Sequence, residues 1–226
     1  MFKKIAIGSS LTLTVLTIIG AAWFMTVGYL FMAQEVIVKP QYARDVTQFE
    51  QLPVQPGDTV FLGDSLTHYA AWDALFPDGE TKNRGVVGDD TDGLLARLDE
   101  VTAGKPGQVF LMIGTNDLTY GADEAEIVAN VEQIISTFRD ESPETDLFVQ
   151  SLLPRAASFG ARVESLNRAL KTAVADQATW IDLYDLFLDD DGSIADRFSN
   201  DELHLFGNGY LVWRDAITDH VAPAAS

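Results

Sequence analysis

A serine stands directly behind a short apolar run in Phe61-Leu62-Gly63-Asp64-Ser65-Leu66-Thr67-His68, and Asp201-Glu202-Leu203-His204 lies near the other end of the chain. A serine hydroxyl is a weak nucleophile until a base takes its proton, and a histidine base works best when a carboxylate fixes its tautomer. Ser65, His204 and Asp201 supply one of each. The order Ser, Asp, His is no obstacle, because the same geometry arises from several chain orders. Three residues separate Asp201 from His204, so one short turn can bring carboxylate and imidazole together. A Gly-x-Ser-x-Gly elbow is absent around Ser65, which excludes the hydrolase class defined by that turn.

His68 is the rival base. If a helix starts at Ser65, however, a ring one turn further in lies beside that helix rather than over its end, which puts His68 at the rim. His220, near the C-terminus, is expected to be exposed. Taken alone, a serine behind Gly-Asp serves equally well as a helix cap; the matching histidine and aspartate give it a chemical reading.

Such groups must be carried to one place. From Asp58 onward, apolar runs at 59–62, 83–87, 108–113, 147–153 and 180–184 alternate with stretches of helical period. Leu94, Leu95, Leu98 and Val101 form one stripe, and Ile127, Val131, Ile134, Ile135 and Phe138 the next. Val163, Leu166, Leu170 and Val174 follow, and Tyr210, Trp213, Ile217 and Val221 close the series. This alternation predicts a five-stranded parallel sheet with helices on both faces. Ligand crevices in such sheets lie beyond the carboxyl ends of the strands. Ser65 follows the first run, Gly88 the second and Asn116 the third, while Asp201 and His204 fall between the fifth run and the last helix.

Residues 5–32 contain no charged side chain; as a helix these 28 residues would extend roughly 42 Å, enough to cross a hydrocarbon core of about 30 Å. Lys3 and Lys4 precede them, so 1–32 is expected to be a transmembrane anchor with the remainder on the outer side, and cleavage near Gly20-Ala21-Ala22 to give a secreted form is the alternative. Residues 33–57, polar and carrying Pro40, Pro53 and Pro56, are expected to form a stalk, and 58–222 the working domain.

The chain has 34 acidic residues against 15 basic ones, a formal charge of −19. So anionic a surface repels nucleic acid, and no nucleic-acid partner is expected. Zero cysteines exclude disulfides and thiolate metal sites. Asp189-Asp190-Asp191-Gly192 has the look of a calcium loop, but Phe187 and Phe198 stand where the first and twelfth ligands would be, leaving a solvated turn. Asp89, Asp90 and Asp92 are expected to cap a helix beginning near Thr91.

Four blocks, Gly63-Asp64-Ser65-Leu66, Asn83-Arg84-Gly85-Val86-Val87-Gly88-Asp89, Gly114-Thr115-Asn116-Asp117 and Asp201-Glu202-Leu203-His204-Leu205, resemble in order the signatures of the SGNH hydrolases, also called the GDSL esterase/lipase family. The resemblance covers roughly 58–221. It implies a flavodoxin-like three-layer α/β/α sandwich and ester hydrolysis through a serine acyl-enzyme, with no metal or other cofactor. By the same resemblance Ser65 is the nucleophile, His204 the base and then acid, and Asp201 its orienter. The backbone N–H groups of Ser65 and Gly88 and the amide of Asn116 would form the oxyanion hole. The chemistry of the residues suits those roles, since neutral donors fixed in advance stabilise a developing oxyanion and glycine lets its backbone approach closely. Glu202 departs from the family pattern, standing where glycine is common.

Thr67, His68 and Trp72, with 118–121 and 154–161, are expected at the rim of the pocket. These connections are short and include no long apolar lid. A shallow site for short acyl groups such as acetyl, on a glycan or small soluble carrier, is therefore expected. A lysophospholipase or thioesterase-like activity is the alternative, and an idle binding module with the same fold is a third reading.

Overall fold

A computed structural model of the chain describes residues 14–28, 36 and 38–223. It divides into two compact units, Met1–Arg44 and Asp45–Ser226. In the first, helical turns over 14–23 run into a π-type stretch, Phe24–Gly28. Among the described residues no helix is long and apolar enough to cross a membrane. The span expected over 1–32 lies in part outside the described residues.

The second unit is built on five strands: β1 (Thr59–Gly63), β2 (Thr81–Gly85), β3 (Gln108–Met112), β4 (Asp146–Gln150) and β5 (Thr179–Ile181). All pair in parallel, in the order β2-β1-β3-β4-β5. The helices are α1 (Lys39–Gln51), α2 (Ser65–His68), α3 (Trp72–Leu75), α4 (Thr91–Leu95), α5 (Asp99–Thr102), α6 (Thr115–Tyr120), α7 (Glu124–Glu141), α8 (Gly160–Ala173), α9 (Tyr184–Phe187) and α10 (Gly207–Ile217).

Alternation along the strands divides the core in two. On one face Phe61, Phe110 and Phe148 stand in register across β1, β3 and β4, with ring centroids 5.2 and 4.6 Å apart. Trp72 of α3 stacks on Phe61 at 3.7 Å, and Trp213 of α10 meets Trp72 edge-on at 5.3 Å. On the other face Val109, Leu111, Leu147 and Val149 pack under Ile134, Ile135 and Phe138 of α7. Helices thus cover both sides of a parallel sheet whose inner strands β1, β3 and β4 are apolar on both faces, as two-sided burial requires, while the edge strand β2 is polar and partly exposed.

Four elements differ from expectation, the first being β2, which pairs over the polar Thr81–Gly85 and not over the apolar run at 83–87. The stretch expected as a stalk holds α1, in which Asp45 and Phe49 are buried. The Arg84 guanidinium lies 4.5 Å over the Phe49 ring, and Arg84 also donates to the Leu52 carbonyl at 2.5 Å, so tertiary contacts hold a helix that composition does not announce. The stripe from Leu94 to Val101 is broken into α4 and α5, joined by tighter i to i+3 turns at Arg97 and Leu98. The run at 180–184 ends as a strand at Ile181; the Leu183 N–H turns away to the Ser151 hydroxyl at 2.8 Å, and α9 begins at Tyr184.

Candidate active site

Every residue of β1 is buried, and the strand delivers Asp64 and Ser65 to the carboxyl edge of the sheet. A Cβ at Gly63 would lie 2.2 Å from the Met112 carbonyl oxygen and 2.6 Å from Thr67 Oγ1, so only glycine fits there. Asp64 Oδ1 caps α2 by accepting the Leu66 N–H at 2.9 Å. The far end of α2 is held from beneath. Trp72 Nε1 donates to the Thr67 carbonyl at 3.0 Å, and Asn83 Nδ2 lies 3.0–3.1 Å from the carbonyls of Thr67, His68 and Ala70. The Tyr210 hydroxyl of α10 donates to the Leu66 carbonyl at 3.0 Å.

Ser65 Oγ lies 2.9 Å from His204 Nε2, and His204 Nδ1 lies 2.6 Å from Asp201 Oδ2. The tautomer that donates Nδ1–H to the carboxylate leaves Nε2 as acceptor for the serine proton. Asp201 Oδ1 accepts the His204 N–H at 2.7 Å, the Leu203 N–H at 3.1 Å and the Ser199 hydroxyl at 3.1 Å. Burial acts to raise the Asp201 pKa but is outweighed by the His204 and Ser199 hydrogen bonds, so the carboxyl is held below its ordinary value. Glu202, inside this turn, has φ +60°, the left-handed conformation that favours glycine.

Gly88 and Asn116 follow the two strands that flank β1. Gly88 has φ +78°. Asn116 Nδ2 spends one hydrogen on the Asp89 carbonyl, 2.8 Å away, which orients the amide and leaves its second hydrogen to donate elsewhere. Asp117 accepts from Thr91 N and Oγ1 at 3.2 and 2.5 Å. The loop after β2 and the start of α6 are therefore tied twice. The chain can hold a serine hydroxyl against an oriented imidazole beside polar loops from the neighbouring strands.

Three carboxyls lie beneath this edge. Asp64 is fully buried, and its pKa is pushed up to about 7, chiefly by desolvation. The Leu66 N–H and Arg155 act against that rise, while Asp89 and Asp117 add to it. Burial likewise lifts Asp89 to about 6 despite Arg97 beside it, and raises Asp117.

Ser65, His204 and Asp201 are brought into contact, and Gly88 and Asn116 into adjoining loops. Two residues expected at the rim are not there. Trp72 and Thr67 are 2% and 1% exposed: the stacking on Phe61 and the bond to the Thr67 carbonyl draw Trp72 under α2, and the Thr67 side chain turns inward against Gly63. His68 keeps a part-exposed ring, turned to the Gly85 carbonyl at 3.0 Å and 3.8 Å from Asp45. His220 is exposed, with its ring 5.4 Å from Phe148. Tyr69, 54% exposed, has its ring 5.5 Å from that of His204 and so occupies the rim instead. Of the acidic trio, Asp90 caps α4 by accepting the Gly93 N–H at 2.8 Å, whereas Asp89 turns inward to Arg97. Nothing in a lone exposed tyrosine or a helix-flanking arginine signals such placement in the sequence. The Asp189–Gly192 segment is a turn, closed by the Asp189 N–H to the Ser193 carbonyl at 2.8 Å.

The model of the GDSL-like Lipase/Acylhydrolase family matches residues 61–212. Platelet-activating factor acetylhydrolase IB subunit alpha2 of Rattus norvegicus is 30% identical over 165 residues, 68% of this chain and 71% of the relative. A protein of Streptococcus pneumonia, provisionally described as a platelet activating factor, superposes with a TM-score of 0.78 at 25% identity, over 88% of this chain and 99% of its own. The acetyl xylan esterase AlAXEase shares the fold with a TM-score of 0.62 at 17% identity, over 73% of this chain and 100% of its own. The chain belongs to the GDSL-like lipase/acylhydrolase family, the SGNH hydrolases, and is a serine ester hydrolase.

Proposed function

We propose that Ser65, His204 and Asp201 form the catalytic triad of an esterase for short acyl groups, acetyl foremost, carried on a glycan or small soluble alcohol. The observation that carries the chemistry is the relay of 2.9 and 2.6 Å from Ser65 Oγ through His204 to Asp201. His204 Nε2 takes the serine proton as Oγ bonds to the ester carbonyl carbon. The oxygen that becomes anionic is met by the N–H groups of Ser65 and Gly88 and the free amide hydrogen of Asn116. The imidazolium then protonates the leaving alkoxide, and the alcohol departs. Water repeats the sequence on the acyl-enzyme, releasing the carboxylic acid and restoring Ser65.

A short acyl group is supported by what lies around the serine. Leu66, Thr67 and Trp72 fill the space under α2 at no more than 2% exposure, which leaves a packed floor rather than a channel. The relative named as an acetylhydrolase and the neighbour named as an acetyl xylan esterase point the same way. A lipid acylhydrolase is the second reading, favoured by the uncharged run at 5–32 and by the lipase half of the family description. On the same run, behind Lys3 and Lys4, rests the proposal that the domain acts outside the cytoplasm as an anchored or secreted form.

Fluorophosphonate treatment followed by peptide mass spectrometry tests the triad. Modification at Ser65, lost in His204→Ala, is expected; labelling at another serine, or none, contradicts the assignment.

A further inference from the structure

Arg97 leaves the turn between α4 and α5 and buries its guanidinium; its side chain and that of Asp89 are each 1% exposed. Nε and Nη2 both lie 2.8 Å from Asp89 Oδ2. Nη2 also reaches the Gly63 carbonyl at 3.1 Å and the Arg84 carbonyl at 3.0 Å. Gly63 closes β1 two residues before Ser65, and Arg84 lies in β2 four residues before Gly88. The carbonyl of Asp89 is the acceptor that orients Asn116, at 2.8 Å. One side chain is thereby joined to the strand that presents Ser65, to the loop that carries Gly88 and, through Asp89, to the amide of Asn116.

We propose that Arg97 is a positioning residue for the oxyanion pocket, holding the Gly88–Asp89 loop at the height where the Gly88 N–H and the second Asn116 hydrogen meet the substrate oxygen. The proposal rests on the reading of Gly88 and Asn116 as oxyanion donors. A buried ion pair is a poor source of stability, since two charges lose their hydration and apolar residues of equal volume often serve the fold as well. Burial lifts the Asp89 pKa to about 6 even with Arg97 in contact, which marks the pair as costly. A planar fork of fixed donors does offer geometry. Lysine, a single point charge on a flexible stem, can meet the carboxylate or the two carbonyls but not hold all of them in one plane. Gly93 gives a second handle, because a Cβ there would lie 2.2 Å from Asp89 Oδ1 and force the carboxylate to shift with every charge retained.

The test is a double-mutant cycle on the full chain between Arg97→Lys and Asn116→Ala, with kcat normalised to fluorophosphonate-titrated sites and folding checked by circular dichroism. The expected result is a kcat about 10- to 100-fold lower in Arg97→Lys, KM within about twofold, and a loss that shrinks below about threefold when Asn116 is already alanine. Should Arg97→Lys not fold, Gly93→Ala carries the same expectations. Full kcat in folded Arg97→Lys beside a crippled Asn116→Ala, or losses that simply multiply, would overturn the positioning role alone. Full kcat in Asn116→Ala would overturn the oxyanion assignment and this proposal with it.

Discussion

Asp64 sits one residue before the proposed nucleophile, and its burial has a consequence for stability. Its folded-state pKa, about 7, stands above the ordinary 3.8, so the native state holds a proton that the unfolded chain has lost. The stabilisation this gives is full below about pH 4 and fades as pH rises through 7. Asp89 fades in the same direction, ending near pH 6. Asparagine at 64 keeps an oxygen for the Leu66 N–H but has no charge to bury. The thermal midpoint of Asp64→Asn is therefore expected to gain on that of the parent between pH 4.5 and 8, and parallel curves would contradict this. At Glu202 the left-handed backbone costs about 1–2 kcal/mol for a residue with a Cβ, against about 0.4–1 for the added freedom of an unfolded glycine. Glu202→Gly should raise the melting temperature slightly with activity unchanged, whereas a lower one would remove the strain argument. The pairing of the serine with its histidine and aspartate was legible from type and spacing, since each has a chemistry of its own, whereas Gly88 and Asn116 were picked out by the resemblance to the family. Arg97 was not legible, because an arginine beside a helix reads as surface until the fold shows its fork on two strand ends.

Among the elements, α3 matters beyond its length of one turn. Trp72 stacks on Phe61, meets Trp213 and donates to the Thr67 carbonyl, so it joins β1, α10 and α2. Trp72→Ala should cost about 3–5 kcal/mol in chemical denaturation, from lost burial and the cavity left behind; a cost under about 1 kcal/mol would contradict the packing described. Strands β1, β3, β4 and β5 were legible because buried parallel strands read as short apolar runs, while the polar edge strand β2 was placed two residues late; α7, α8 and α10 were legible because their stripes persist over three turns or more. The position of Trp72 was misread for a definite reason. Its place soon after Ser65 put it near the site in sequence, and sequence distance does not tell the floor of a pocket from its rim. Helix α1 was missed because only Asp45 and Phe49 of its thirteen residues are buried and one of the two is charged, so its apolar stripe is thin, and its contacts come from Arg84 far along the chain.

Across the whole molecule, a charge of −19 acts against compaction through self-repulsion, which salt screens. Raising sodium chloride from about 0.05 to 1 M should raise the melting temperature, since the Debye length falls from over 10 Å to about 3 Å; a flat or falling response would show that repulsion is unimportant here. Charge and composition limit partners and leave the reaction to the site. Hydrolysis of short esters through Ser65 is the activity proposed for this site. It is tested most directly by kcat/KM for p-nitrophenyl esters from acetate to palmitate, with the full chain beside Ser65→Ala. Turnover is expected to be strongest on acetate, to fall steeply beyond about four carbons and to be absent in the variant. Turnover that persists without Ser65, or that rises toward palmitate, would contradict it.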